Sequence, residues 1–111
     1  MNHAEKMLDD PSDIKRGDII RCKGCYPYEE IVDFMVSETP GERSYCLMVS
    51  SGYKAGLVFV ILPRVSVPTD NPGYAISKKW MIKNWEQWGY SECSLDDVYL
   101  ISNSAPRNFD D

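Results

Sequence analysis

The sequence predicts a mostly β domain: a small antiparallel SH3-like barrel, or a curled sheet of five to six strands, with one short helix. Three observations carry this. Short runs of β-branched and aromatic residues recur along the chain, the breaks between them are rich in Gly, Pro, Asn, Asp and Ser, and only one segment has the spacing of a helical face. With 111 residues, 43 % of them hydrophobic and 26 % charged, the chain has enough apolar side chains for one packed core and too many for a disordered segment.

Residues 1–13 carry Glu5, Asp9, Asp10 and Asp13 around a single large apolar pair, Met7-Leu8, and read as a flexible acidic arm or a frayed short helix. The globular domain is expected over residues 14–103, with a polar tail at 104–111. The Lys15-Arg16-Gly17-Asp18 turn delivers a short strand, Ile19-Ile20-Arg21-Cys22. Gly24, Pro27 and Glu29-Glu30 interrupt before the strand Ile31-Val32-Asp33-Phe34-Met35-Val36, which Thr39-Pro40-Gly41-Glu42 closes as a turn. Tyr45-Cys46-Leu47-Met48-Val49 is then the returning arm of a hairpin. The unbroken apolar run Gly56 to Pro63 predicts a central strand buried on both faces. Pro63 and Pro68 confine the next segment to an edge, and Thr69-Asp70-Asn71-Pro72-Gly73 is a surface loop.

From Ser77 the period changes. Ser77 is placed to cap, and Met81, Trp85 and Trp88 recur at i, i+4 and i+7, which predicts a helix of about three turns with Trp85 and Trp88 buried and Trp80 partly exposed. The competing reading makes Trp80-Met81-Ile82 a strand and Asn84-Trp85 a turn, since tryptophan also favours strands. Val98-Tyr99-Leu100-Ile101 closes the domain as a strand.

Composition narrows the function. Seventeen acidic against twelve basic residues give a net charge of −5, which disfavours direct binding to nucleic acid or an anionic membrane and favours a basic partner. A modest negative charge also serves solubility alone. No apolar run reaches the roughly 18 to 20 residues a membrane-spanning helix needs, and the first residues lack the basic-then-apolar pattern of a secretory signal, so a cytoplasmic location with reduced thiols is expected.

Few residues suggest catalysis. Cys22-Lys23-Gly24-Cys25 places two thiols at metal-ligand or dithiol spacing, but it is half a zinc site, because Cys46 and Cys93 stand alone and the single histidine, His3, lies in the arm. A redox pair would open a helix after a strand, whereas this one ends a strand. No metal or cofactor is expected. Nucleophilic catalysis would depend on His3, and the carboxylate pairs Glu29-Glu30, Asp96-Asp97 and Asp110-Asp111 have the spacing of solvated rims. The reading is therefore a binding protein, not an enzyme.

Taken in order, Ser51-Gly52-Tyr53-Lys54-Ala55-Gly56, Leu62-Pro63, residues 76–88 from Ile76 through Trp80, Trp85 and Trp88, and Asp97-Val98-Tyr99-Leu100-Ile101 form a pattern that resembles the immunity protein 45 family. The resemblance covers roughly residues 15–101. It implies a small, mostly β protein that binds and neutralises the C-terminal domain of a cognate bacterial toxin, in polymorphic-toxin or contact-dependent growth inhibition systems. A basic RNase or DNase is the expected toxin, since an acidic protein can occupy a groove built for phosphates. Candidate rim residues for that partner are Glu29, Glu30, Asp33, Asp96 and Asp97, with Tyr28, Trp80 and Tyr90 as anchors. An SH3-like or Tudor-like peptide-binding adaptor is the alternative, and would present an open aromatic groove.

Overall fold

Alternation along residues 31–38 sets the plan of the molecule. Val32, Phe34 and Val36 are buried while Ile31, Asp33, Met35 and Ser37 are exposed or half-buried, as in a strand with one face on a core. In the computed structural model, which describes residues 4–39, 44–68 and 75–103, this strand sits inside a six-stranded antiparallel sheet. The strands are β1 (Ala4–Lys6), β2 (Ile14–Lys15), β3 (Ile19–Lys23), β4 (Ile31–Glu38), β5 (Tyr45–Val49), β6 (Val58–Ile61), β7 (Ala75–Ile76) and β8 (Tyr99–Ile101). Their order across the sheet is β1-β8-β3-β4-β5-β6, and β2 pairs with β7 in a separate ribbon.

Register fixes which side chains share a face. Phe34 lies opposite Ile20 and Val49, and Val36 opposite Leu47, so the apolar residues of β3, β4 and β5 converge on one side. There they pack into a single cluster with Leu100 of β8, Ile14 and Ile76 of the ribbon, and Met81 and Trp85 from the helical segment. The other side carries Ile19, Arg21, Asp33, Met35, Met48 and Tyr99, all half-buried or exposed. The mostly β, antiparallel expectation holds. A closed SH3-like barrel does not form among the described residues, because Met81 and Trp85 fill the space where a barrel would place a second wall, and β1 and β6 remain as edges.

The expected strands at Ile19, Ile31 and Tyr45 are present, and β8 begins at Tyr99. Three short strands were not legible. Ala4–Lys6 is a strand on β8 where an arm was expected, and Met7 behind it is fully buried. Lys78 holds this segment: its Nζ donates to the carbonyls of Met7 (3.2 Å) and Asp10 (2.7 Å), and the residue is only 5 % exposed. Burial pushes this ammonium below its ordinary pKa, and the nearby Asp10, Asp13, Asp18 and Glu5 oppose that shift. The His3, Pro40 to Glu42, Thr69 to Gly73 and 104–111 expectations, with Asp110-Asp111, lie outside the described residues.

Two readings are corrected. The apolar run Gly56 to Pro63 is not a strand buried on both faces: β6 is an edge, its Val58 and Ile61 are exposed, and only Phe59 and Val60 turn toward the core. A bulge opposite Leu47 and Met48 leaves Phe59 as an extra residue in β6, so Phe59 and Val60, though consecutive, both face inward. The 77–88 segment is helical, as its spacing predicts, but broken in two: α1 (Lys78–Lys83) and α2 (Trp85–Trp88) meet at Asn84. Ser77 Oγ accepts the Trp80 N–H at 3.2 Å, the expected cap, while the Asn84 side chain donates to the Trp80 carbonyl at 2.9 Å and ends the first helix. Trp85 is buried and donates its Nε1–H to the Cys93 carbonyl at 2.8 Å. Trp88 was expected to be buried with it but is half-buried, packed against Trp80 at 6.3 Å between ring centroids.

Replacing Lys78 by Met removes the ammonium that donates to the Met7 and Asp10 carbonyls. Urea unfolding of Lys78→Met should show a loss of about 1–3 kcal/mol, the cost of leaving buried acceptors unpaired. Alkaline pH should destabilise the protein through Cys22, whose buried thiol, beside Cys93, has its pKa pushed far up by desolvation. Between about pH 8.5 and 10 the unfolded thiol ionises while the folded one keeps its proton. The folded state then binds more protons, so stability falls as pH rises. Lys78 acts in the opposite sense, so the measurement is a difference: Cys22→Ala should lose less stability than the parent between pH 8.5 and 10.

Candidate functional site

One end of the central sheet gathers the loops between β3 and β4 (residues 24–30) and between β5 and β6 (residues 50–57), because β4 begins there and β5 finishes there. The 89–97 segment comes to the same end, since β8 runs antiparallel to β3 and enters the sheet there. Most of the expected rim is therefore brought together by topology, although it is scattered over seventy residues of sequence.

The first loop is tied down by its own backbone. Gly24 N–H donates to the Glu30 carbonyl at 2.7 Å, and Tyr28 N–H to that of Cys25 at 2.9 Å. A Cβ at Gly24 would sit 2.0 Å from the Glu29 carbonyl oxygen, so this closure requires glycine. Cys25 N–H donates to the Tyr90 hydroxyl at 3.0 Å, which joins the loop to the 89–97 segment. Tyr90 is thus 3 % exposed and serves as a buried post for the loop rather than an anchor turned outward. Its hydroxyl is pushed above its ordinary pKa chiefly by burial.

Tyr28 is half-buried and packs edge-on against Tyr90 (5.5 Å), Phe34 (6.4 Å) and Phe59 (6.4 Å), with Lys54 Nζ 5.9 Å from its ring centroid. These four aromatics turn toward one another, so the side chains that an adaptor's peptide groove would display line the core instead.

The second loop is built on Glu29. Its Oε1 accepts the Tyr53 N–H at 2.9 Å, and this contact leads the causes that hold the Glu29 carboxyl below its ordinary pKa. Gly52, at φ +68°, lets the carboxylate approach, since a Cβ there would lie 2.1 Å from Glu29 Oε2. Ser50 N–H donates to the Asp33 carbonyl and Ser51 Oγ accepts the Asp33 N–H, each at 2.8 Å. Gly56, at φ +98°, closes the turn by donating to the Val49 carbonyl at 2.7 Å.

On these two braced loops stand Tyr26 and Tyr53, each 94 % exposed. Neither was singled out as an anchor from the sequence. The available signal was the Gly-Tyr-Lys-Ala-Gly turn, where an aromatic between glycines has nothing to pack against. Leu57, Val58 and Ile61, in and beside β6, are also exposed.

The acidic candidates differ in availability. Glu30 is exposed, and its side chain makes no hydrogen bond or ion pair among the described residues. Asp33 lies on the open face of the sheet and is consumed by Arg21, which donates Nε–H to Oδ1 at 2.8 Å and Nη2–H to Oδ2 at 2.9 Å. That hydrogen-bonded pair raises the Arg21 pKa. Asp96 and Asp97 are exposed in a 3-10 turn, Leu95–Asp97, in which Ser94 Oγ accepts the Asp96 N–H at 3.4 Å. Trp80 is not joined to this group; its packing partner is Trp88.

The cysteine motif does not converge on a metal. Cys22 is buried beside Cys93, while Cys25 is exposed, with its Sγ 3.5 Å from Glu92 Oε2. Among the described residues no three His, Cys, Asp or Glu side chains are grouped as metal ligands. The acids near the N-terminus are structural: Asp13 Oδ1 accepts the Lys78 N–H at 3.0 Å, and Asp18 accepts from Lys15 N–H and Asn103 N–H, each at 2.9 Å.

No curated protein and no solved structure matches this chain. A family model does, over residues 7–100, spanning both braced loops, the broken helix and all of the sheet except β1 and Ile101. On that match the chain belongs to the family described as Immunity protein 45.

Proposed function

We propose that this protein neutralises a cognate bacterial toxin domain by binding it in the cytosol through the loop end of the sheet, and that it catalyses no reaction itself. Membership of an immunity family supports a toxin partner. The observation that carries the choice of surface is the pair of almost fully exposed tyrosines, Tyr26 and Tyr53, on loops fixed by hydrogen bonds. Tyrosine buries much area with few rotatable bonds, and a loop already held in place loses little entropy when a partner covers it.

Charge supports a basic toxin, with a nuclease as the class that fits. The net charge is −5, and Glu30, Asp96 and Asp97 are exposed around the tyrosines' end of the sheet. Carboxylates there take the positions that phosphates occupy in a basic groove, speeding encounter and excluding the substrate. Asp33 contributes to this surface only as part of a neutral pair with Arg21. A system of contact-dependent growth inhibition or another polymorphic toxin would supply such a partner.

Co-expression with the toxin domain encoded beside this chain's gene should restore growth; failure of the parent protein to do so overturns the proposal. Truncation of Tyr26 or Tyr53 to Ala should each weaken the purified complex by roughly tenfold in Kd, with unchanged thermal unfolding. Reversal of Glu30, Asp96 and Asp97 to Lys should slow association, and the slowing should shrink as salt is raised from about 0.05 to 0.5 M, as screening removes long-range attraction. An association rate indifferent to these reversals at low salt would exclude the acidic rim.

A further inference from the structure

The two edges of the central sheet are built on different rules. β1 is three residues long and carries Glu5 and Lys6, the short, charged form that discourages further pairing. β6, with its flanks, runs Leu57-Val58-Phe59-Val60-Ile61-Leu62 without a charge, and exposes Leu57, Val58 and Ile61 by 57, 52 and 57 %. Its backbone is also available. Leu62 N–H donates to the Tyr45 carbonyl and Ile61 lies opposite Cys46, so the alternation of an antiparallel ladder points the Ile61 N–H and C=O away from β5. No described residue pairs with them.

We propose that this edge receives an extended, apolar segment of the toxin domain as a seventh strand, with a basic residue flanking that segment passing Glu30. The inference rests on the immunity reading and specifies how the partner is held. Main-chain bonds at Ile61 give attachment, while the Val58 and Ile61 side chains give an apolar footing on the open face. The Glu29–Tyr53 contact links the start of β6 to the loop end, so one partner can cover both.

A second copy of this chain is a poorer occupant. Two copies each carry a net charge of −5 and repel one another as they approach. A ladder of four residues also covers far less than the roughly 800 Å² per partner of a stable interface. The toxin domain reaches that area by continuing from the strand onto Tyr53 and Tyr26.

Hydrogen exchange of the full chain, alone and with the toxin domain encoded beside it, tests the pairing directly. The Ile61 amide should exchange at least roughly tenfold more slowly in the complex. Ile61→Pro, which removes that N–H from an edge position, should keep the parent's melting temperature and lose at least tenfold in affinity. Should this variant fold poorly, the exchange measurement on the parent protein decides alone. Unchanged exchange at Ile61 in a complex that still neutralises the toxin overturns the added strand and leaves the immunity function standing. A parent protein that does not bind the toxin overturns both. An Ile61 amide already protected in the isolated protein at concentrations where it dimerises makes the occupant a second copy and also overturns the proposal.

Discussion

Burial of only one face of the central sheet is the constraint from which the rest of this structure follows. β3, β4 and β5 each present apolar residues on alternate positions, and the registry Ile20-Phe34-Val49 lines them up on one side. A single sheet with an apolar face cannot stand in water, so the remaining chain is spent covering it. The ribbon of β2 and β7 contributes Ile14 and Ile76, and the broken helix contributes Met81 and Trp85. Lys78 then fastens the N-terminal segment over the same core by two hydrogen bonds to its carbonyls. The opposite face keeps a bidentate Arg21–Asp33 pair at its centre, a neutral and well-matched arrangement that leaves this side wet.

That one-sided packing is also what makes the loop end useful. The Phe34, Phe59, Tyr28 and Tyr90 rings close the core at this end, and the loops above are hung from them. Tyr90 holds Cys25, Glu29 holds Tyr53, and Gly24 and Gly52 permit approaches that a Cβ would block. The exposed tyrosines are consequently presented by a framework already ordered before any partner arrives. Binding to such a framework saves the ordering cost that a free loop incurs. A carboxylate used to brace a loop is at the same time removed from the rim, which is why Glu29 and Glu30, neighbours in sequence, have different work.

The β6 edge is where local rules and fold disagree. An uncharged run of β-branched and aromatic residues belongs in a sheet interior, and natural proteins rarely leave such an edge bare. Places where sequence and structure conflict in this way are commonly sites of function, because the missing half of the environment is supplied by another molecule. The contrast with β1 sharpens the point, since the same sheet blunts its other edge with Glu5 and Lys6.

Period and punctuation by themselves determined a mostly β antiparallel chain, the strands at Ile19, Ile31 and Tyr45, the Ser77 cap and the inward Met81 and Trp85, since each follows from side chains a few residues apart. The order of tryptophans and turn residues also carried the family resemblance. Only the tertiary structure decided the rest, because it depends on partners distant in sequence. The two-residue strands β2 and β7 exist through each other, β1 exists through β8 and Lys78, and an apolar run has no local mark that tells a central strand from an edge. For the same reason the exposed tyrosines had to be found in space: Tyr90 and Tyr53 are alike as residues, and what separates them is that one has the core beside it and the other has water.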